Sequence, residues 1–299
     1  MFSYGAVIRD AWAVTVQNPK LKWFAFFPTL AATTVFVLEV VWQVFMYLSE
    51  FGANSDINWE RAKHFIQFLS DSGLLFWVIA LVAGLLFFQF FLSPWITGAE
   101  MVYIEKKIFR PDDYISLRKS FVSSFHFFFR LVEFQAISTL FSIWSIALFA
   151  ATFYRFFHGS WLINLWPGLM VYTFFAIGIT ILFSYVPQFV VLKDFSLTRS
   201  VNESIGMSFA FLGRTIGIIG IMILIGFRVI INVAVAIGIP VILLFVMSLW
   251  ASKIVGIVVL IVGIFLLVAA AYLTSILEIF SQALWIRVFQ TTLHEYEKK

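Results

Sequence analysis

Long apolar runs alternate with short polar segments along this chain of 299 residues. About 20 consecutive apolar residues cross the hydrocarbon core of a bilayer as one helix, so each run predicts one crossing. The spacing predicts a short aromatic loop with Trp161 and Trp166 between the third and fourth crossings, because Trp favours the headgroup level. The six predicted spans are residues 21–48, 73–97, 125–153, 167–192, 211–232 and 254–283.

The apolar sequence that begins near Phe211 continues for about 40 residues, which is too long for a single crossing. Gly226, Gly238 and Pro240 are the positions where it would bend. We predict a span at 211–232 followed by a re-entrant segment at 233–250. The alternative is that 233–250 crosses the membrane as a seventh span.

Two polar segments, Ser116–Phe125 (SLRKSFVSSF) and Ser196–Ile205 (SLTRSVNESI), resemble each other. In both, serines recur every four residues beside an apolar stripe, a spacing that favours an amphipathic helix. Each segment precedes a predicted span. The pattern indicates a repeated hairpin unit with interfacial helices on one side of the membrane.

The composition is typical of an integral membrane protein. Hydrophobic residues make up 62% and charged residues only 12%, whereas about 25% of the residues in a soluble domain are charged. The predicted fold class is all-α: a polytopic membrane helix bundle, with residues 1–299 as a single integral membrane domain. The first apolar run is far longer than the core of a signal peptide, so we expect it to stay as an anchor.

Basic residues are distributed unevenly between the two sets of connecting segments. Segments 1–22, 98–126, 193–214 and 282–299 hold 14 Lys and Arg, and the opposite segments hold 4. The positive-inside rule therefore predicts that both termini are cytoplasmic. Basic residues in such short segments favour lipid headgroups rather than nucleic acid as partners.

Charged side chains within predicted spans are functional candidates, because burying them in hydrocarbon is costly. Glu39 and Arg228 lie at similar depths and predict an intramembrane charge pair. This pair is either a structural interhelical contact or part of a proton or anion pathway. Glu133 and Glu278 are the other intramembrane charges.

The serine segments have two interpretations. Small residues every four positions let helices pack closely in a membrane, which is the more common role of such a pattern. Alternatively, hydroxyl and basic side chains bind a lipid phosphate headgroup. The residues of this candidate lipid-binding site are Ser116, Lys119, Ser120, Ser196, Arg199 and Ser200.

Motifs for catalysis are absent from the sequence. The four histidines do not have the spacing of metal ligands, there is no cysteine, and no phosphate-binding loop or nucleophile elbow occurs. The sequence therefore predicts no catalytic residues, no metal and no cofactor.

Three features together suggest a family: an Asn-Pro-Lys entry to the first span, the segment VVLKDFSLTRSVNESIG, and the tail SQALWIRVFQTTLHEYE. They resemble a broad group of poorly characterised bacterial six-helix integral membrane proteins. That group is similar to the membrane domain of some glycerophosphodiester phosphodiesterases. The resemblance implies a prokaryotic inner (plasma) membrane and repeated hairpins. Because we find no soluble phosphodiesterase domain in this sequence, it implies no catalytic residues.

We expect a non-enzymatic multi-pass protein that binds membrane lipid headgroups or a membrane protein partner. The alternative is a transporter or permease that moves a small solute or lipid and uses the intramembrane charges.

Overall fold

Every regular element in the described part of this computed structural model is a helix. The structure describes residues 3–51, 67, 70–71, 73–109, 116–227 and 253–298. The side chains of 39–51, 74, 78, 143–144, 148, 151–165 and 253–260 are not described. The α-helices are α1 (Tyr4–Gln17), α2 (Pro19–Phe51), α3 (Leu74–Phe87), α4 (Ser93–Phe109), α5 (Leu117–Ser124), α6 (Phe128–Leu140), α7 (Ile143–Leu182), α8 (Val186–Leu192), α9 (Leu197–Ala210), α10 (Leu212–Phe227) and α11 (Lys253–Tyr296). A π-helical turn (Phe88–Leu92) joins α3 to α4, and a 3-10 turn (Phe125–Phe127) joins α5 to α6.

The described helices include several that are long and apolar enough to cross a membrane, so the chain is a multi-pass membrane protein. The bent pair α9 and α10, which meet at 97° beside Phe211, adds a fifth candidate if it counts as one span. The four unbent candidates are Pro19–Leu38, Leu75–Phe109, Trp166–Leu192 and Ile261–Tyr296. The predicted re-entrant segment 233–250 lies outside the described residues.

The structure differs from the predicted spans between residues 125 and 192. The predicted span 125–153 is interrupted at Phe141–Ser142, where the Ser142 hydroxyl accepts the Ser145 N–H at 3.0 Å and caps α7. The aromatic loop predicted around Trp161 and Trp166 is helical instead, because α7 continues through it and through Pro167. A turn at residues 183–185 then separates α7 from α8.

Two compact units make up the chain: residues 1–25, 94–231 and 276–299 form the first, and residues 26–93 and 232–275 form the second. The core of the first unit is built around α8, whose residues are buried on almost every side. A helix that is apolar all round belongs in an interior. Phe189 of α8 packs edge-on against Phe289 of α11, with ring centroids 4.8 Å apart. In the second unit, α3 exposes large apolar side chains such as Phe76 and Trp77, as expected for a surface that faces lipid.

Candidate functional site

Both serine segments form helices that begin at equivalent positions. Ser116 and Ser196 are the residues before α5 and α9, and both have extended backbone conformations. The Ser116 hydroxyl accepts the Lys119 N–H at 3.2 Å and caps its helix. The Lys119 side chain is exposed, as is that of Arg199, whose guanidinium lies 3.8 Å from the centre of the Phe195 ring. The internal repeat remains a prediction.

The later serines of each segment are buried against neighbouring backbone. Ser120 and Ser200 are fully buried, so of the six candidate lipid-binding residues these two lie inside the protein. Ser204 Oγ donates to the carbonyl of Leu182 at 2.6 Å. Ser124 Oγ lies 2.8 Å from the Phe121 carbonyl of its own helix and 3.2 Å from the Trp95 carbonyl of α4, and its single proton is shared between these two acceptors. These contacts are those of close helix packing. Lipid binding by the exposed members of the set remains a prediction.

The first helix shares this packing pattern. Val7, Ala11 and Thr15, four residues apart, are the buried residues of α1. No serine occurs in this stripe, so the sequence pattern of the two serine segments does not extend to α1.

The predicted Glu39–Arg228 pair lies outside what the structure describes, since Arg228 and the side chain of Glu39 are among the undescribed parts. Glu133 of α6 is exposed, and Glu278 of α11 is half-buried. The charge pair therefore remains a prediction.

A charged cluster closes the turn between α8 and α9. Asp194 has a φ of 54°, in the left-handed region that Asp tolerates better than most residues. Arg130 Nη2 donates to Asp194 Oδ1 at 2.8 Å, and Arg130 Nη1 donates to the Phe195 carbonyl at 2.7 Å. The hydrogen bond from Arg130 holds the pKa of Asp194 below its ordinary value, and the nearby His126, with Nε2 3.2 Å from the same oxygen, adds to this effect.

Three further ion pairs connect the end of α11 to distant parts of the chain. Their distances are 2.7 to 3.0 Å. The pairs are Arg287–Asp10, Arg214–Glu295 and Lys193–Glu297. They anchor the last turns of α11 to α1, to α10 and to the end of α8.

A buried glutamate on α4 was not among the predicted sites. Glu100 is fully buried, and its Oε2 accepts a hydrogen bond from Gln282 Nε2 of α11 at 2.7 Å. Glu278, one helical turn before Gln282, also acts electrostatically on Glu100. The predicted second span ends at residue 97, so Glu100 was expected in a connecting segment. The signal that could have found it is the four-residue spacing of Ile96, Glu100 and Ile104, which places Glu100 within an apolar stripe.

Gln282 also borders a cavity of about 540 Å³ in the first unit, which we call the α6–α11 cavity. Its wall is mostly apolar, and its polar members are hydroxyl and amide side chains. No ionisable side chain is found among the described residues that line it. The polar lining residues are Ser138, Ser142, Thr180, Ser184, Gln188 and Gln282, and the apolar ones include Phe134, Phe141, Ile179, Phe183, Ile219 and Trp285.

No known protein family, no curated protein and no solved structure matches this chain. The resemblance to the membrane domain of glycerophosphodiester phosphodiesterases therefore remains a prediction.

Proposed function

We propose that this chain is a multi-pass membrane protein that binds a lipid-like molecule with an uncharged polar end in the α6–α11 cavity, without catalysing a reaction. The observation that carries the proposal is the composition of the cavity wall. An apolar surface with a few hydroxyl and amide groups suits an amphiphile, and about 540 Å³ lies within the usual range for small-molecule sites. General acid–base catalysis needs an ionisable group within reach of the substrate, and the described lining residues include none.

The setting that we propose for this site is the inner membrane of a prokaryotic cell, with six spans and both termini in the cytoplasm. The 14-to-4 distribution of basic residues supports this orientation. Lipid headgroups at the exposed Lys119 and Arg199 are a second contact that we propose with the same membrane. A membrane protein partner is compatible with this arrangement.

A matched pair of α6 variants tests the cavity. Ser138 lines it, whereas the neighbouring Ile137 does not line it and is 38% exposed. Ser138→Trp fills the cavity, and Ile137→Trp adds the same side chain elsewhere. We expect native mass spectrometry of the gently extracted protein to show a co-purified lipid in the wild type and in Ile137→Trp, but not in Ser138→Trp. An unchanged lipid adduct in Ser138→Trp would refute the proposal.

One observation favours transport as a second function. Glu100 is a fully buried ionisable residue in a candidate membrane span, and its partner Gln282 lines the cavity. Intramembrane carboxyl groups beside cavities are typical of transport pathways. Uptake of labelled lipid or solute into proteoliposomes, compared between wild type and Ser138→Trp, distinguishes transport from binding alone.

A further inference from the structure

The hydrogen bond between Glu100 and Gln282 leaves two buried oxygens without a donor. Gln282 Nε2 donates to Glu100 Oε2 at 2.7 Å. The remaining oxygens, Glu100 Oε1 and Gln282 Oε1, are both buried and have no hydrogen-bond partner among the described residues. The pair thus leaves two acceptors unmatched and lacks one donor.

Leaving these two acceptors without a donor destabilises the folded protein. A buried polar group without a partner costs about 1–3 kcal/mol, and an unpaired buried charge costs more. No basic side chain among the described residues acts on Glu100, and the charge that does act on it, Glu278, is of the same sign. Something must therefore supply a donor or a positive charge at this point.

We propose that Glu100 binds a proton and that the neutral carboxylic acid forms a closed, two-bond pair with the Gln282 amide. In this pair the existing bond runs from Gln282 Nε2 to Glu100 Oε2. The added proton on Glu100 Oε1 donates to Gln282 Oε1. One proton therefore satisfies both orphan oxygens and removes the charge.

The surroundings of Glu100 favour a proton over a metal cation. A hard metal cation such as Ca²⁺ takes six or more oxygen ligands, and no group of three or more His, Cys, Asp or Glu among the described residues is arranged to hold a metal. Glu100 is fully buried and does not line the α6–α11 cavity, so its carboxyl group is not exposed to solvent or to that cavity, whereas a hydrated ion would need room for its water ligands.

The groups that face α4 from the neighbouring elements define what this proton responds to. From α11, Glu278 and Gln282 act on Glu100. Elsewhere α4 meets Leu131 of α6, Asn18 at the start of α2 and the Phe121 carbonyl of α5, all uncharged. The charged group Arg287 of α11 also faces α4, with its guanidinium 5.3 Å from the centre of the Phe109 ring. Glu278 is the titratable group that acts on the Glu100 carboxyl itself.

This proton site does not depend on which ligand the cavity holds. Gln282 connects the two, because the same amide that meets Glu100 also borders the α6–α11 cavity. Loss of the proton would leave the Gln282 oxygen facing a carboxylate, and the amide would have to reorient. The protonation state of Glu100 is in this way transmitted to the cavity wall.

Infrared difference spectroscopy of purified protein at neutral pH tests the site. Glu100→Gln replaces the acid with an amide that can still donate to and accept from Gln282, so the variant should fold. We expect the carbonyl band of a protonated carboxylic acid in the wild type, its loss in Glu100→Gln, and its retention in the exposed control Glu133→Gln.

A second variant keeps the test decisive if Glu100→Gln does not fold. Gln282→Leu removes the hydrogen-bond partner, so the acid band should persist and shift to higher frequency. Absence of the acid band from the wild type, or a band unaltered by both variants, would overturn the proposal. Stabilisation of the wild type but not Glu100→Gln by added Na⁺ would also overturn it, because the occupant would then be a metal cation.

Discussion

Replacing Ser204 with alanine tests whether the buried hydroxyls of α9 fix this helix against the α7–α8 turn. Ser204 Oγ donates to the Leu182 carbonyl at 2.6 Å and accepts the Tyr185 N–H at 3.2 Å. In the variant, Leu182 O keeps Ser208 Oγ as a donor at 3.4 Å, whereas the Tyr185 amide loses its acceptor. A buried polar group left without a partner costs about 1–3 kcal/mol, so we expect the free energy of unfolding to fall by about this amount.

Ser200→Ala is the matched control. Ser200 lies one turn earlier on the same helix and is equally buried, but its hydroxyl has no hydrogen-bond partner in the described part of the chain. Both variants gain the same helix propensity from alanine, so their difference isolates the hydrogen bonds. Unfolding in mixed micelles, followed by circular dichroism as the denaturing detergent is titrated, measures both. Equal changes in Ser200→Ala and Ser204→Ala would show that the Ser204 bonds do not stabilise the fold.

Three further predictions follow from the turn, the packing and the charges. Because the pKa of Asp194 is lowered in the folded state, its stabilising contribution is present above its ordinary value of 3.8 and is lost as the pH falls through the folded pKa. Asparagine tolerates the same φ, so Asp194→Asn should lower the melting temperature at pH 7 but not in strong acid. Equal decreases in melting temperature at the two pH values would contradict the ion pair. Gly98→Ala should destabilise the protein relative to Gly84→Ala, because a Cβ at Gly98 would lie 2.9 Å from Leu131 Cδ1 and a Cβ at Gly84 meets nothing within 4 Å. Equal melting temperatures for Gly98→Ala and Gly84→Ala would show that the Leu131 side chain of α6 moves aside for the added methyl group without loss of stability. Reporter fusions after residue 55 and after residue 299 should report opposite compartments, and the same compartment for both would contradict six spans.

The hydrophobic pattern predicted the helical class because apolar runs of this length have few other solutions in a bilayer. It misplaced the helix ends between residues 125 and 192. No proline or glycine marks the break at Phe141–Ser142, which is set by a capping hydroxyl. In contrast, Pro167 and the nearby Trp residues suggested a loop where α7 continues. Local propensity is a weak guide where tertiary contacts decide.

The candidate site was harder to predict than the fold. The four-residue spacing of the serines was visible in the sequence, but it does not tell whether a hydroxyl meets a lipid or a neighbouring carbonyl. Ser204 meets the carbonyl of Leu182 because another helix brings that carbonyl to it. Glu100 and Gln282 are 182 residues apart, so no local pattern could pair them.

The ion pairs at the end of α11 can form only after α11 has been synthesised, so the first unit is completed late during synthesis. Asp10 and Arg287 are separated by 277 residues. At about 5–20 residues per second, a ribosome needs roughly 14 to 55 s between the two. During that interval α1 has left the ribosome but lacks its carboxy-terminal partner. The delay is shorter for Arg214 and Lys193, whose partners are Glu295 and Glu297. A chain that ends before α11 lacks all three ion-pair partners, so its earlier helices cannot complete their packing.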